Sequence, residues 1–274
     1  MLFQRLDNFL DYHARVHGEV NFVTQDERSL TFSQSRDRID TIACALAGRG
    51  LVKGDRIGLL GKNSVDFFFL YMACARLGVV PVGINYRLTP AEAAFIASDA
   101  TAKLLFADSD LIAEVDQLCP ELQSVCLYGS HGNYPDFEQW LEGPAGNSER
   151  EVVVADDVMS QMYTSGTTGL PKGVLLSHSN IISNVYQTSL GSEYTFKAGE
   201  EFLLVAPMYH AAGIMIAYTG LMQGLSLVIH REYDSANVVK TLAQRPIAAV
   251  TLVPAMLQMI VDTVPNLDDL SFPD

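Results

Sequence analysis

The chain has 274 residues and a net charge of −14, with 49% hydrophobic and 18% charged residues and ordinary shares of glycine and proline. That balance argues against disordered, collagenous or coiled-coil material, and its acidity argues against a nucleic-acid surface, which draws affinity from basic residues that neutralise phosphates. The length suits one large α/β domain or two smaller ones. Cys44, Cys74, Cys119 and Cys126 form no C-x-x-C pair, which points to a reducing, cytoplasmic setting.

The opening stretch, MLFQRLDNFLDYHARVHGE, carries charge throughout, so it predicts an amphipathic helix and not a signal peptide. Thr31 and Gln34 have capping-box spacing. Thr89, Pro90 and Glu92 supply a cap, a first-turn proline and a reciprocal glutamate, so helices are expected to start at both places. Apolar or β-branched runs at 55–61, 79–84, 103–107, 124–128, 159–164, 173–177, 202–206, 225–229 and 248–253 read as strands. Helical patterns separate most of them, which is the alternation of parallel βαβ units. A linker-like patch rich in Gly, Pro, Ser and charge covers 142–157, and it predicts one subdomain over 1–155 and a second over 156–274.

No formal charge lies between Glu201 and Arg231, a length that would cross a bilayer at about 20 residues per helix. Pro207, His210, Gly213, Gly220 and Gly224 divide the stretch, so a buried strand–helix–strand unit is expected and no transmembrane segment. The chain then closes on a strand, a helix and a loop without a polar tail, as if it stopped mid-architecture.

The densest chemistry lies in YTSGTTGLPKG, residues 163–173. The spacing fits neither G-x-x-x-x-G-K-[ST] nor G-x-G-x-x-G, so it is neither a Walker loop nor a dinucleotide fingerprint. What remains is a glycine-rich turn between two strands, where converging backbone N–H groups form an anion-binding concavity. Thr164, Ser165, Thr167 and Thr168 add hydroxyl donors and Lys172 adds a point charge. Polyphosphate is the natural guest, and a flexible linker is the plainer alternative. Opposite unit charges about 4 Å apart attract by roughly 4 kcal/mol near a protein surface, whereas charges beyond about 8 Å are screened, so the acidic whole does not forbid a local anion site. The acidic balance suggests that Mg²⁺ accompanies the phosphates.

The run MYTSGTTGLPKGVLLSH resembles the signature phosphate loop of the adenylate-forming superfamily, which includes acyl-CoA synthetases, aryl-CoA ligases, luciferases and peptide-synthetase adenylation domains. GDRIGLLGKNSVDFFFLYMACARLGVVPVGINYRLTPAE before it, and APMYHAAG and VTLVPAML after it, fall in the family's order. NYRLTPAE and PMYH look most like acyl-CoA or aryl-CoA ligases. The resemblance implies stacked, mostly parallel β-sheets flanked by helices, the N-terminal domain of that fold. It also implies a two-step reaction: a carboxylate attacks the α-phosphate of Mg-ATP, releasing pyrophosphate and forming an acyl-adenylate, and coenzyme A then displaces AMP. Thr164, Ser165, Gly166, Thr167, Thr168, Gly169 and Lys172 would hold the β- and γ-phosphates, Thr164 would also touch Mg²⁺, and His210 would sit beside the reacting carboxylate. The family's adenine-stacking motif, ribose-binding aspartate and lysine-bearing C-terminal lid do not occur before Asp274, so the chain alone is expected to be inactive.

The uncharged stretch after His210 favours a fatty acid; an aryl acid, and a non-catalytic nucleotide- or acyl-binding or vestigial module, stay open as alternatives. Met208, Tyr209, Ile214, Met215 and Tyr218 are expected in the core, Arg87 on the surface, and Asp156, Asp157, Asp268 and Asp269 as solvated loop acids. Apolar surface exposed at a cut domain would promote self-association as a homodimer.

Overall fold

A computed structural model describes residues 3–146, 152–164, 170–191, 195–265, 267 and 273. In chain order the elements are α1 (Asp7–Val16), β1 (Asn21–Gln25), β2 (Arg28–Thr31), α2 (Phe32–Gly48), β3 (Arg56–Leu60), α3 (Val65–Leu77), β4 (Val80–Ile84), α4 (Pro90–Asp99), β5 (Ala102–Asp108), α5 (Ile112–Leu118) and β6 (Gln123–Tyr128). They continue with α6 (Phe137–Leu141), β7 (Val158–Thr164), β8 (Lys172–Ser177), α7 (His178–Gly191), β9 (Glu201–Leu204), α8 (Ala211–Gln223), β10 (Ser226–Ile229), α9 (Ser235–Gln244), β11 (Ile247–Val250) and α10 (Pro254–Thr263).

The strands form a six-stranded sheet in the order β6-β5-β3-β4-β7-β8 and a five-stranded sheet in the order β11-β9-β10-β1-β2. Pairing is parallel throughout except for one antiparallel hairpin at the edge of each sheet, β7–β8 and β1–β2. Every strand predicted from the sequence is present, and both sheets draw strands from either side of residue 155. The patch at 142–157 lies between β6 and β7 of one sheet.

Alternate residues of β3, β5, β9 and β10 feed different cores, as a two-sided parallel sheet requires. In β5, Leu104 and Phe106 face the large core between the sheets, while Leu105 and Ala107 pack under α4 and α5. Leu203, Val205 and Val228 pack on the outer face of the second sheet with Val238 of α9. The large core is built around α3, whose run VDFFFLYMACARL is buried except at Asp66, the pattern of a helix packed on nearly every side. Ser64 caps its start by accepting the Phe67 N–H at 3.0 Å, and Gly78 ends it in the left-handed region at φ 72°.

Both predicted capping boxes are formed, Thr31 with Gln34 at α2 and Thr89 with Glu92 at α4. The uncharged stretch folds as β9, α8 and β10, and among the described residues no helix is long and apolar enough to cross a membrane. The one hairpin the sequence did not announce is β1–β2. Its turn contains no glycine, and Asp26 takes the positive φ, 51°, that such a turn needs.

Candidate functional site

Open α/β sheets bind ligands beyond the carboxyl ends of their parallel strands. Here the ends of β4 and β7, the start of α4 and the segment after β9 surround a cleft of about 690 Å³. Its walls include Gly83, Tyr163, Thr164, Pro171, Tyr209 and His210, so residues far apart in sequence meet in one concavity. The volume falls within the range of small-molecule sites. A smaller hollow of about 320 Å³ beside Cys119 and Leu122 includes none of the site residues expected from the sequence.

The hairpin β7–β8 supplies the first component. Its antiparallel register pairs Tyr163 with Gly173 and Thr164 with Lys172, so a hydroxyl and an ammonium stand opposite one another where the strands part. Both side chains are exposed. The expected phosphate-loop residues Ser165, Gly166, Thr167, Thr168 and Gly169 lie outside the described residues, as do Asp268 and Asp269.

The loop end of the hairpin is locked by a chain of polar contacts. Arg56 Nε donates to Gln161 Oε1 at 2.9 Å, Gln161 Nε2 donates to the Tyr163 hydroxyl at 3.0 Å, and that hydroxyl donates to Asp99 at the end of α4 at 2.5 Å. Burial, reinforced by the Asp99 carboxylate, pushes the Tyr163 phenol up, so it stays a neutral donor. Gly173 makes room for this arrangement: a Cβ there would lie 2.5 Å from Gln161 Nε2 and 3.1 Å from Tyr163 Cζ. Tyr163 was expected only as part of the strand, and its position beside the loop was the one hint of this role.

His210 supplies the second component. It is the N-cap of α8, and its Nδ1 accepts the Ala212 N–H at 3.2 Å. A ring nitrogen that accepts a backbone proton carries none, which leaves Nε2 as the ring's donor, and the residue lines the cleft. Met208, Ile214 and Tyr218 are buried in the core, and Tyr209 and Met215 pack against it.

Two charged groups near the cleft are already engaged. Glu92 lines it, yet Oε2 accepts the Thr89 N–H at 2.9 Å and the Thr89 hydroxyl at 2.8 Å. These bonds hold its carboxyl below the usual range, so it caps α4 and is not a free base. Arg87 is exposed, with its guanidinium 5.3 Å from the centre of the Tyr86 ring, and Tyr86 meets Tyr209 edge-on at 5.5 Å. Asp157 pairs with Lys53 at 2.6 Å and is structural.

The pattern of a family described as AMP-binding enzyme matches residues 10–272. A fatty acid–[acyl-carrier-protein] ligase, ScoC of Streptomyces coeruleorubidus, is 31% identical over 94% of this chain and 49% of its own length. An indoleacetate–CoA ligase of Aromatoleum aromaticum is 28% identical over 93% of this chain and 51% of its own. Among solved structures, the inhibitor-bound N-terminal domain of FACL13 from Mycobacterium tuberculosis superposes with a TM-score of 0.86 and 26% identity, covering 99% of this chain and 68% of that one. The chain spans about half the length of the curated relatives it matches.

Proposed function

The chain belongs to the AMP-binding enzyme family, and from that premise we propose that it forms the phosphate-holding and acid-holding side of an ATP-dependent acid–thiol ligase. The observation that carries this reading is the cleft itself, which brings Thr164 at the mouth of the glycine-rich hairpin and His210 on the segment after β9 to one cavity. The backbone N–H groups and hydroxyls of 164–169, with Lys172, hold the β- and γ-phosphates of ATP. His210 offers its Nε2–H to the carboxylate that attacks the α-phosphate. Pyrophosphate leaves, an acyl-adenylate remains, and a thiol such as coenzyme A expels AMP as the thioester forms. A carboxylate has no leaving group of its own, so the protein contributes mainly positioning and charge neutralisation.

Among the described residues no group of three or more His, Cys, Asp or Glu gathers as a metal site. Mg²⁺ fits here as an ion that arrives on the phosphates, with the Thr164 hydroxyl as its protein contact. It would neutralise phosphate charge. The cytoplasm is the compartment that matches ATP, coenzyme A and free thiols.

A fatty acid is the preferred substrate class, because the helix α8 that follows His210 is uncharged and apolar. An aryl acid is the second reading, favoured by the Tyr163 and Tyr209 rings on the cleft wall.

Titration calorimetry with Mg-ATP and with AMP tests the assignment. Removing a charged partner of the terminal phosphates in Lys172→Ala should weaken Mg-ATP roughly tenfold to hundredfold, and leave AMP and the melting temperature unchanged. Equal affinity in the variant and the unmodified chain would refute the loop assignment. No binding by the unmodified chain would refute the idea that these residues hold nucleotide unaided. Adding decanoate and indoleacetate separately then ranks the two acid classes by which one tightens ATP binding.

A further inference from the structure

Asn63 lies just beyond the carboxyl end of β3, is 3% exposed, and has both its amide and its backbone fully engaged. Its Nδ2 donates to the carbonyls of Ala206 at 3.0 Å and His230 at 3.1 Å, and its Oδ1 accepts the Met208 N–H at 2.8 Å. Its own N–H donates to the Arg231 carbonyl at 3.0 Å, while its carbonyl accepts from Arg231 Nη1 at 3.2 Å and Gln25 Nε2 at 3.4 Å. β3 is the third strand of the six-stranded sheet, and Ala206 and His230 follow β9 and β10 of the five-stranded one. One side chain therefore joins the two sheets at the ends where the cleft opens.

Two of its three side-chain bonds go to Ala206 and Met208, four and two residues before His210. The same segment is confined from two other directions. A Cβ on Gly83 would lie 3.0 Å from both Cα and the carbonyl oxygen of Tyr209, and a Cβ on Gly213 would lie 2.1 Å from the Pro207 oxygen. Backbone thus passes at close quarters on both sides, and the Asn63 amide fixes the register between them.

We propose that Asn63 is a positioning residue: it clamps the Ala206–Met208 backbone so that the His210 imidazole keeps its Nδ1 on the Ala212 N–H and presents Nε2–H to the cleft. The role rests on the reading of His210 given above. A purely structural staple between the sheets is a different claim, and Arg231 separates the two. Its guanidinium ties the same junction through Asp108 at 2.7 Å and the Lys62 and Asn63 carbonyls, without touching 206–208.

The experiment compares Asn63→Ala, Asn63→Asp and Arg231→Met by nitrogen-15 spectroscopy of the histidine-labelled chain, with the His210 signal among six histidines identified by its loss in His210→Ala. The unmodified chain should show widely separated His210 nitrogen shifts, the signature of one neutral tautomer. In Asn63→Ala the separation should shrink as the tautomers mix. Asn63→Asp keeps the acceptor for Met208 and loses both donors, so it should lie between, and it serves if the alanine variant does not fold. Arg231→Met should lower the melting temperature and leave the His210 shifts in place. Unchanged His210 shifts in a folded Asn63 variant, or an equal disturbance in Arg231→Met, would overturn the proposal. The spectrum needs no nucleotide. Failure of Mg-ATP to bind would count against the ligase reading and leave the Asn63 result legible by itself.

Discussion

Each sheet ends in one antiparallel hairpin, and the two hairpins differ in how their strands are joined. In β1–β2 the strands are joined across Asp26 and Glu27, and Phe22, Val23, Thr24 and Gln25 are all buried. Phe22 stacks on Phe32 with centroids 4.5 Å apart, so this hairpin closes the large core. In β7–β8 the join runs from Thr164 to Lys172, and the first four residues of β8 are exposed, with Val174 at 44% and Leu175 at 49%. The first hairpin keeps its connection to two residues and buries its inner strand, while Arg28 and Ser29 of its edge strand β2 are exposed. The second also buries its inner strand and leaves its edge strand uncovered, and it differs in the longer connection, where the proposed phosphate loop falls.

The largest effect should come from giving the second hairpin the connection of the first. Replacing residues 165–171 with Asn-Gly keeps Thr164 paired with Lys172 across a two-residue turn, which the antiparallel register permits. Mg-ATP binding should fall below detection in calorimetry while circular dichroism and the melting temperature stay near those of the parent. Retained nucleotide binding would break the comparison, because the phosphate site would then lie elsewhere.

The next largest effect separates the hairpins by stability. Phe22→Ala empties a fully buried position against Phe32 and Phe68 and should cost about 3–5 kcal/mol in urea unfolding. Val174→Ala removes methyl groups that are already half in water and should change stability by less than about 0.5 kcal/mol. Similar losses in the two variants would mean that β8 is covered in solution.

The parts of this architecture that show in the sequence are those set by local patterns. Strand runs bounded by turn residues, the Thr31 and Thr89 capping boxes, and the glycine–hydroxyl loop all depend on residues within a few positions of one another, and each has a period or spacing that a reader can test. The β1–β2 hairpin was hidden because Asp26 accepts a positive φ that glycine normally announces. The cleft was hidden for a different reason: Thr164 and His210 become neighbours only through the order in which β4 and β7 pair and the way the second sheet docks. Asn63 shows this most clearly, since its side-chain partners stand 143, 145 and 167 residues away. Nothing near residue 63 in the chain encodes them.

The smallest of the three effects concerns the anchored end of the exposed hairpin. β8 leads from Lys172 into the start of α7 at His178, which is fully buried and accepts the Leu6 N–H on Nδ1 at 3.3 Å. Burial, helped by the Arg5 charge and opposed by Asp157, lowers the His178 pKa from 6.5 to about 4. The unfolded chain therefore takes up this proton first as pH falls, and stability that is complete above about pH 6.5 drains away until about pH 4. At about 1.4 kcal/mol per pH unit, the loss amounts to roughly 3 kcal/mol. His178→Asn retains an acceptor for Leu6 and has no proton to gain, so its unfolding free energy should fall by about that much less between pH 7 and pH 4. His13 and His230 are also held down by burial, but they remain in both proteins and cancel in the difference. Equal acid losses in the two proteins would show that the far end of β8 is open to water, and the contrast between that buried end and the exposed first four residues of β8 would fail with it.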